Sequence, residues 1–298
     1  MYPLFLKPFY DEKPWGGSRL KKLFGKDTPF PTTGESWEFS ALEQGQSIVT
    51  NGLFAGQSLS QVSKAATGLN VFPLLIKLID ASDVLSVQVH PDDAMARAVE
   101  GMPTGKTEAW YILACDRDAH LIMGADFADG AALRAALCKN DLERHLYREP
   151  VKPADSFFIP GGTLHAIGKG MLIYEVQQPF NCTYRVYDWN RGRELHVEKS
   201  VEAYKSDAPY GRQQARSLSA QETRLIECSY FVLDRVDAQN GFAACSEARF
   251  AAYTALEAGA VQFDGQLFPY QPGQSFLIPM QMGGYALQGG TLLRAMLP

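Results

Sequence analysis

Runs of four to eight β-branched, aromatic and aliphatic residues, each cut off by turn formers, recur along this chain: "FPLLIKLI", "VLSVQVH", "EAWYILA", "HLIMG", "SFFIPG", "MLIYEVQQ", "TYRVYDW", "YFVLDRV" and "SFLIPM". Segments of that length and composition predict strands. So many short ones predict an all-β chain built from barrels or sandwiches, with only a short helical segment between them. Helical recurrence of Ala and Leu is clearest in "ADGAALRAALCKNDLERHLYR", residues 128–148; "DDAMARAVEG" starts on acidic residues and ends at Gly101, and "LHVEKSVEAYK" is a third candidate. The polar, turn-rich "SDAPYGRQQARSLSAQ", residues 206–221, predicts a linker. It divides the chain into a larger domain over 1–215 and a smaller β domain over 222–298.

A faint internal repeat fits that division. Ser156-Phe-Phe-Ile-Pro160 can be laid without gaps over Ser275-Phe-Leu-Ile-Pro279, and the same register puts Gly284 where the first copy has His165. Two related β-barrels are expected, only the first equipped for chemistry.

Within "SVQVHP" the strand period of two puts Gln88 and His90 on one face, about 7 Å apart, and Val87 and Val89 on the other. Two groups able to bind a metal therefore look into the same space. Glu108, which opens "EAWYIL", and His165, just past the glycine turn of "IPGG", supply the remaining ligand types on strand-like segments. Each residue has a plainer account as well: His90 as a strand-end residue before a Pro turn, Glu108 as an exposed partner of Lys106. His196 competes with Gln88 for the coordination shell, whereas His120 and His145 read as structural or solvent-facing. Two imidazoles, a carboxylate and an amide oxygen around a divalent ion leave about one positive charge, which suits a Lewis acid. A second group of candidates is basic: Lys77, Lys106, Lys169, Arg185, Arg191 and Arg193. Two or three of these in one pocket would hold a phosphate monoester. Arg185 interrupts the aromatic strand "TYRVYDW" on the face opposite Tyr184 and Val186, where a cation needs an anionic partner.

Composition narrows the function classes. The 298 residues are 46% hydrophobic and 20% charged, which is ordinary for a globular protein, and 28 basic against 33 acidic residues form no dense cationic stripe that could neutralise a nucleic-acid backbone. The longest apolar stretch, "VFPLLIKLID", is broken by Lys77 and is far short of the roughly 20 residues of a membrane helix. The N-terminal "MYPLFLKPFYDEKPW" does not read as a secretory leader, so a cytoplasmic location is expected. Cys115, Cys138, Cys182, Cys228 and Cys245 are odd in number and widely spaced, so five reduced, mostly buried thiols are expected.

Taken together, "SVQVHPDD", "GKTEAWYIL", "PGGTLHAIGKGMLIYEVQQ" and "TYRVYDWNR" resemble the class I mannose-6-phosphate isomerases (phosphomannose isomerases) of the cupin superfamily, in their short bacterial form. The likeness runs from "KPWGG" and "GESWEFSA" to "RELHVEK". It implies two cupin-type jelly-roll barrels and a zinc-dependent aldose–ketose isomerase, with one Zn2+ per chain, acting on a small phosphosugar by proton transfer through an enediolate. By position it implies Gln88, His90, Glu108 and His165 as zinc ligands and Trp15, Lys77, Ser86, Lys106, Glu175 and Arg185 as pocket groups, with Arg191 where a further basic residue is usual. Asn181 in "QQPFNCTYR" departs from the pattern, since an Asp is common there. On this basis Glu175 is expected to be the proton-shuttling base, with a zinc-bound water or His165 as alternatives. Lys106 is expected to stabilise the enediolate, and Arg185 with Arg191 to hold the phosphate. The competing class is a silent phosphosugar-binding cupin.

Overall fold

The computed structural model describes all 298 residues and is mostly strand with few helices. Every run singled out in the sequence contains a strand. The helical expectations are met over shorter spans than predicted: residues 128–148 contain a helix at Gly130–Cys138, a single 3-10 turn at Glu143–His145 and then a strand, Leu146–Pro150. Asp129 starts the helix by accepting the Ala132 N–H. Just past its end Asn140 takes a left-handed backbone, φ 55°, which no helix continues. The expected linker also carries structure, in the strands Gly211–Gln213 and Arg216–Ser217. No helix is long and apolar enough to cross a membrane. The thiols are free but not mostly buried, for Cys138 and Cys245 are exposed and the other three half-buried.

Two compact units form, and they differ from the expected division. Residues 1–13, 18–78 and 214–298 make one; residues 14–17 and 79–213 make the other. The N-terminal segment was expected in the larger domain. It joins the C-terminal unit because the Leu4–Lys7 strand pairs with Ser275–Ile278, Leu4 opposite Leu277. Strand exchange of this kind depends on backbone pairing between distant segments, which leaves no local trace in the sequence. The core of that unit is aromatic: Phe276 stacks on Phe5, Tyr253 and Tyr270 at centroid distances of 5.3–5.4 Å.

In the other unit, one sheet contains Gly211–Gln213, Ser156–Ile159, Glu108–Cys115 and Met171–Gln177 in that order. A second runs Leu146–Pro150, His120–Ala125, His165–Ile167, Val87–Val89, Tyr184–Tyr187. Alternation sorts their side chains. Trp110, Ile112, Phe157, Ile159 and Ile173 from the first sheet pack with Leu121, Met123 and Ile167 from the second. The opposite face of the second sheet, with Val87, Val89, Ala166, Tyr184 and Val186, packs on Leu133 and Ala136 of the Gly130–Cys138 helix and Ala203 of the Val197–Ala203 helix. Charged groups on the face between the sheets are thereby cut off from water.

The repeat extends to the pairing of the strands. Ile159 lies opposite Glu108, and its counterpart Ile278 lies opposite Ala251. Where one unit has Glu108 and His165, the other has Ala251 and Gly284.

Candidate metal centre

Three adjacent strands set a row of polar groups across the second sheet. His165 lies directly opposite Gln88, and Gln88 opposite Arg185, so all three project from the same face. His90 follows the Val87–Val89 strand at the position that keeps it on the side of Gln88. Glu108 comes from the facing sheet, two residues before Trp110 on the same inward side. The glycine turn holds the two histidine segments together: Gly162, at φ 94°, donates its N–H to the His90 carbonyl at 2.8 Å. A Cβ on Gly161 would press to 2.9 Å from the Asp92 backbone, so the close approach requires glycine.

His90, Glu108 and His165 converge, with ligand atoms within 4.8 Å of one another and at most 1% exposure each. Both imidazoles are oriented by backbone. His90 Nδ1 lies 2.8 Å from the Cys182 carbonyl and His165 Nδ1 2.9 Å from that of Thr163. A carbonyl only accepts, so Nδ1 carries the proton and each Nε2 presents its lone pair. Those atoms lie close to the carboxylate, His165 Nε2 at 3.2 Å and His90 Nε2 at 3.5 Å, and Lys106 Nζ is 3.1 Å from Glu108 Oε2. Even so, His90 Nε2 and both Glu108 oxygens, all buried, make no well-aligned hydrogen bond. Buried polar atoms in a folded core are nearly always satisfied. Acceptor atoms that crowd together without aligned hydrogen bonds are suited to a cation, and the N, N, O donor set to a divalent one. Gln88 completes the ring, its amide 3.2 Å from His165 Nε2, and rotation of the amide exchanges its nitrogen for oxygen.

Electrostatics agree with that fit. Burial drives His90 down to about 3, with Lys106 adding to the effect, so the imidazole stays neutral and available as a ligand. Burial by itself would raise Glu108, but Lys106, His90 and His165 hold it well below the usual carboxylate range.

Other expected site residues take varied places. Glu175 lies opposite Trp110 across the first sheet and accepts its indole N–H at 2.9 Å. Arg185 gives one Nη1 hydrogen bond to the Glu194 carbonyl, while its Nε is buried with no hydrogen bond. Burial lowers its affinity for a proton, and Arg193 and Arg191 lower it further against the opposing pull of Asp188. Arg191 is occupied, bonding the Val84 carbonyl and Asp188. Trp15 is buried in the apolar cluster between the sheets, and Ser86 is buried two residues before Gln88. Lys77 belongs to the first unit, 3.5 Å from Glu35 and over the Trp37 ring. His196, the competitor to Gln88, has its Nδ1 bonded to the Arg185 backbone N–H. Sequence reasoning missed the Trp110 contact and both carbonyls that orient the histidines. Only the alternation that puts Trp110 on the face of Glu108 could have pointed to the first.

An all-β unit with a buried His–Glu–His group that could hold a metal ion, and with Arg185 on the same sheet face, defines the class of protein. Residues 4–113 match the family model "Phosphomannose isomerase type I, catalytic domain". The mannose-6-phosphate isomerase ManA of Bacillus subtilis (strain 168) is 36% identical over 96% of this chain and 96% of its own length. That of Streptococcus mutans serotype c is 43% identical over 77% and 76%. The crystal structure of the mannose 6-phosphate isomerase from Bacillus subtilis superposes over 100% of both chains with TM-score 0.93 at 33% identity. The chain belongs to the type I phosphomannose isomerase family and is an isomerase.

Proposed function

We propose that this enzyme interconverts mannose 6-phosphate and fructose 6-phosphate, using one zinc ion held by Gln88, His90, Glu108 and His165, and that each unit is a cupin-type jelly roll. The observation that carries the reading is the polar row His165–Gln88–Arg185 facing Glu108, which sets ligand atoms without aligned hydrogen bonds on the same face as a guanidinium whose buried Nε makes none. Bound zinc would supply Lewis acidity, offsetting negative charge that develops on the sugar's C1 and C2 oxygens.

The protein's own groups carry the proton chemistry. An aldose becomes a ketose when the C2 proton leaves, an enediolate forms, and a proton returns to C1 while the hydroxyl proton passes between the two oxygens. Glu175 is the base: the Trp110 hydrogen bond fixes one carboxylate oxygen, which orients the group for both transfers. Lys106, 3% exposed, brings a positive charge to the same buried space and stabilises the enediolate. Arg185 takes the phosphate, whose charge answers the repulsion from Arg193 and Arg191. Arg191 braces the Asp188 turn beside it. Ser86 offers a hydroxyl to the sugar, and Trp15 helps to close the apolar wall.

The test is a coupled assay of mannose 6-phosphate conversion on chelator-treated protein with zinc or iron added back, alongside His165→Ala. Activity restored by zinc and abolished in the variant is expected. No turnover with any metal would leave only a sugar-binding protein, and turnover with iron alone would remove zinc from the account.

A further inference from the structure

Lys106 enters the site from a loop, two residues before the Glu108–Cys115 strand, and a lysine's four rotatable bonds leave its ammonium poorly placed unless the backbone is fixed. Here three consecutive amides are held. The Gly105 N–H donates to Asp93 Oδ1 at 2.7 Å, the Lys106 N–H to the Pro91 carbonyl at 2.9 Å, and the Thr107 N–H to Gln178 Oε1 at 2.8 Å. Gln178 Nε2 then donates to Asp93 Oδ1 at 2.9 Å, so the two side chains that grip either flank of Lys106 also grip each other. The Gln178 backbone N–H adds a bond to the Thr107 carbonyl at 3.1 Å. There is no slack in the loop: a Cβ on Gly105 would come within 2.4 Å of the Asp92 carbonyl carbon, and Lys106, Thr107 and Gln178 are all buried.

We propose that Asp93 and Gln178 are a positioning pair that sets Lys106 for the isomerisation, acting through that lysine alone. The inference rests on the reading of Lys106 as a group that stabilises the reacting sugar. Both ends of the Gln178 amide are used in the clamp, one on the Lys106 segment and one on Asp93. Loosening either residue frees the backbone on one side of the lysine, and misplacement of a reacting group by about 1 Å can cost roughly 100-fold in rate.

The experiment is a cycle on the zinc-loaded enzyme with Asp93→Ala, Asp93→Asn, Gln178→Met, Lys106→Ala and the double variant Asp93→Ala/Lys106→Ala, each measured for kcat, KM and bound metal. Asp93→Ala and Gln178→Met should each lower kcat about 10- to 100-fold with KM within about twofold and metal content unchanged. Asp93→Asn keeps a carbonyl oxygen for both donors and should restore most of the rate. In the absence of Lys106 the clamp has nothing to place, so the double variant should be no slower than Lys106→Ala. Multiplied losses in the double variant, or wild-type kcat in both single clamp variants, would overturn the pair. If Asp93→Ala does not fold, Gln178→Met with its own Lys106→Ala double carries the same comparison. Unchanged kcat in Lys106→Ala would instead sink the role given to the lysine, and slow clamp variants beside it would show that the clamp acts elsewhere.

Discussion

Acid should weaken the metal-free protein through His90. In the unfolded chain its imidazole titrates at the ordinary value near 6.5, and in the folded chain burial takes it to about 3. Between those values the unfolded chain binds a proton that the folded chain refuses, so stability is present above the unfolded value and is lost as the pH falls. Going from pH 7 to pH 5 the folded imidazole stays neutral, and the unfolded state gains RT ln[(1 + 10^1.5)/(1 + 10^−0.5)], about 2 kcal/mol. No discount for solvent is needed, because the ring is 1% exposed. Any folded value well below 5 gives nearly the same loss. The assay is urea unfolding of chelator-treated protein at pH 7 and pH 5, compared with His90→Gln, which cannot titrate. Wild type should lose about 2 kcal/mol more than the variant over that interval. Equal losses in the two proteins would refute the claim that this histidine is buried in its neutral form.

Trp110→Phe keeps a ring near His165, now 5.5 Å away, but removes the N–H that Glu175 accepts. A hydrogen bond to a charged group is worth about 1.5–3 kcal/mol, so kcat should fall about 10- to 100-fold with bound metal unchanged, as steady-state kinetics and metal analysis would read. In the other unit, Phe276→Ala removes the ring on which Phe5, Tyr253 and Tyr270 stack. It should cost about 3–5 kcal/mol in urea unfolding, whereas a loss under 1 kcal/mol would mean that the cluster repacks.

Much of the candidate site was legible because strand alternation is a local rule. Gln88 and His90 share a face by counting, and so do Glu108 and Trp110, and an intruding Arg185 among aromatics announces itself. The helix expected over 128–148 failed at Asn140, where one left-handed residue outweighed the Ala and Leu pattern. The domain boundary failed at its N-terminal side because pairing of Leu4 with Leu277 is not encoded in either segment alone.

By itself, then, the sequence determined which side chains share a strand face, that the chain would be all-β, and which residue types could bind a cation and an anion. Those properties follow from the two-residue period and from side-chain chemistry. Tertiary structure decided which faces meet. It set His165, Gln88 and Arg185 in one row, turned both Nε2 atoms inward with backbone carbonyls, and placed Asp93 and Gln178 on either flank of Lys106. Strand register, the Cys182 carbonyl on His90 and the Gln178 bond to Thr107 depend on hydrogen bonds between segments more than 70 residues apart, and such bonds exist only once the chain has folded.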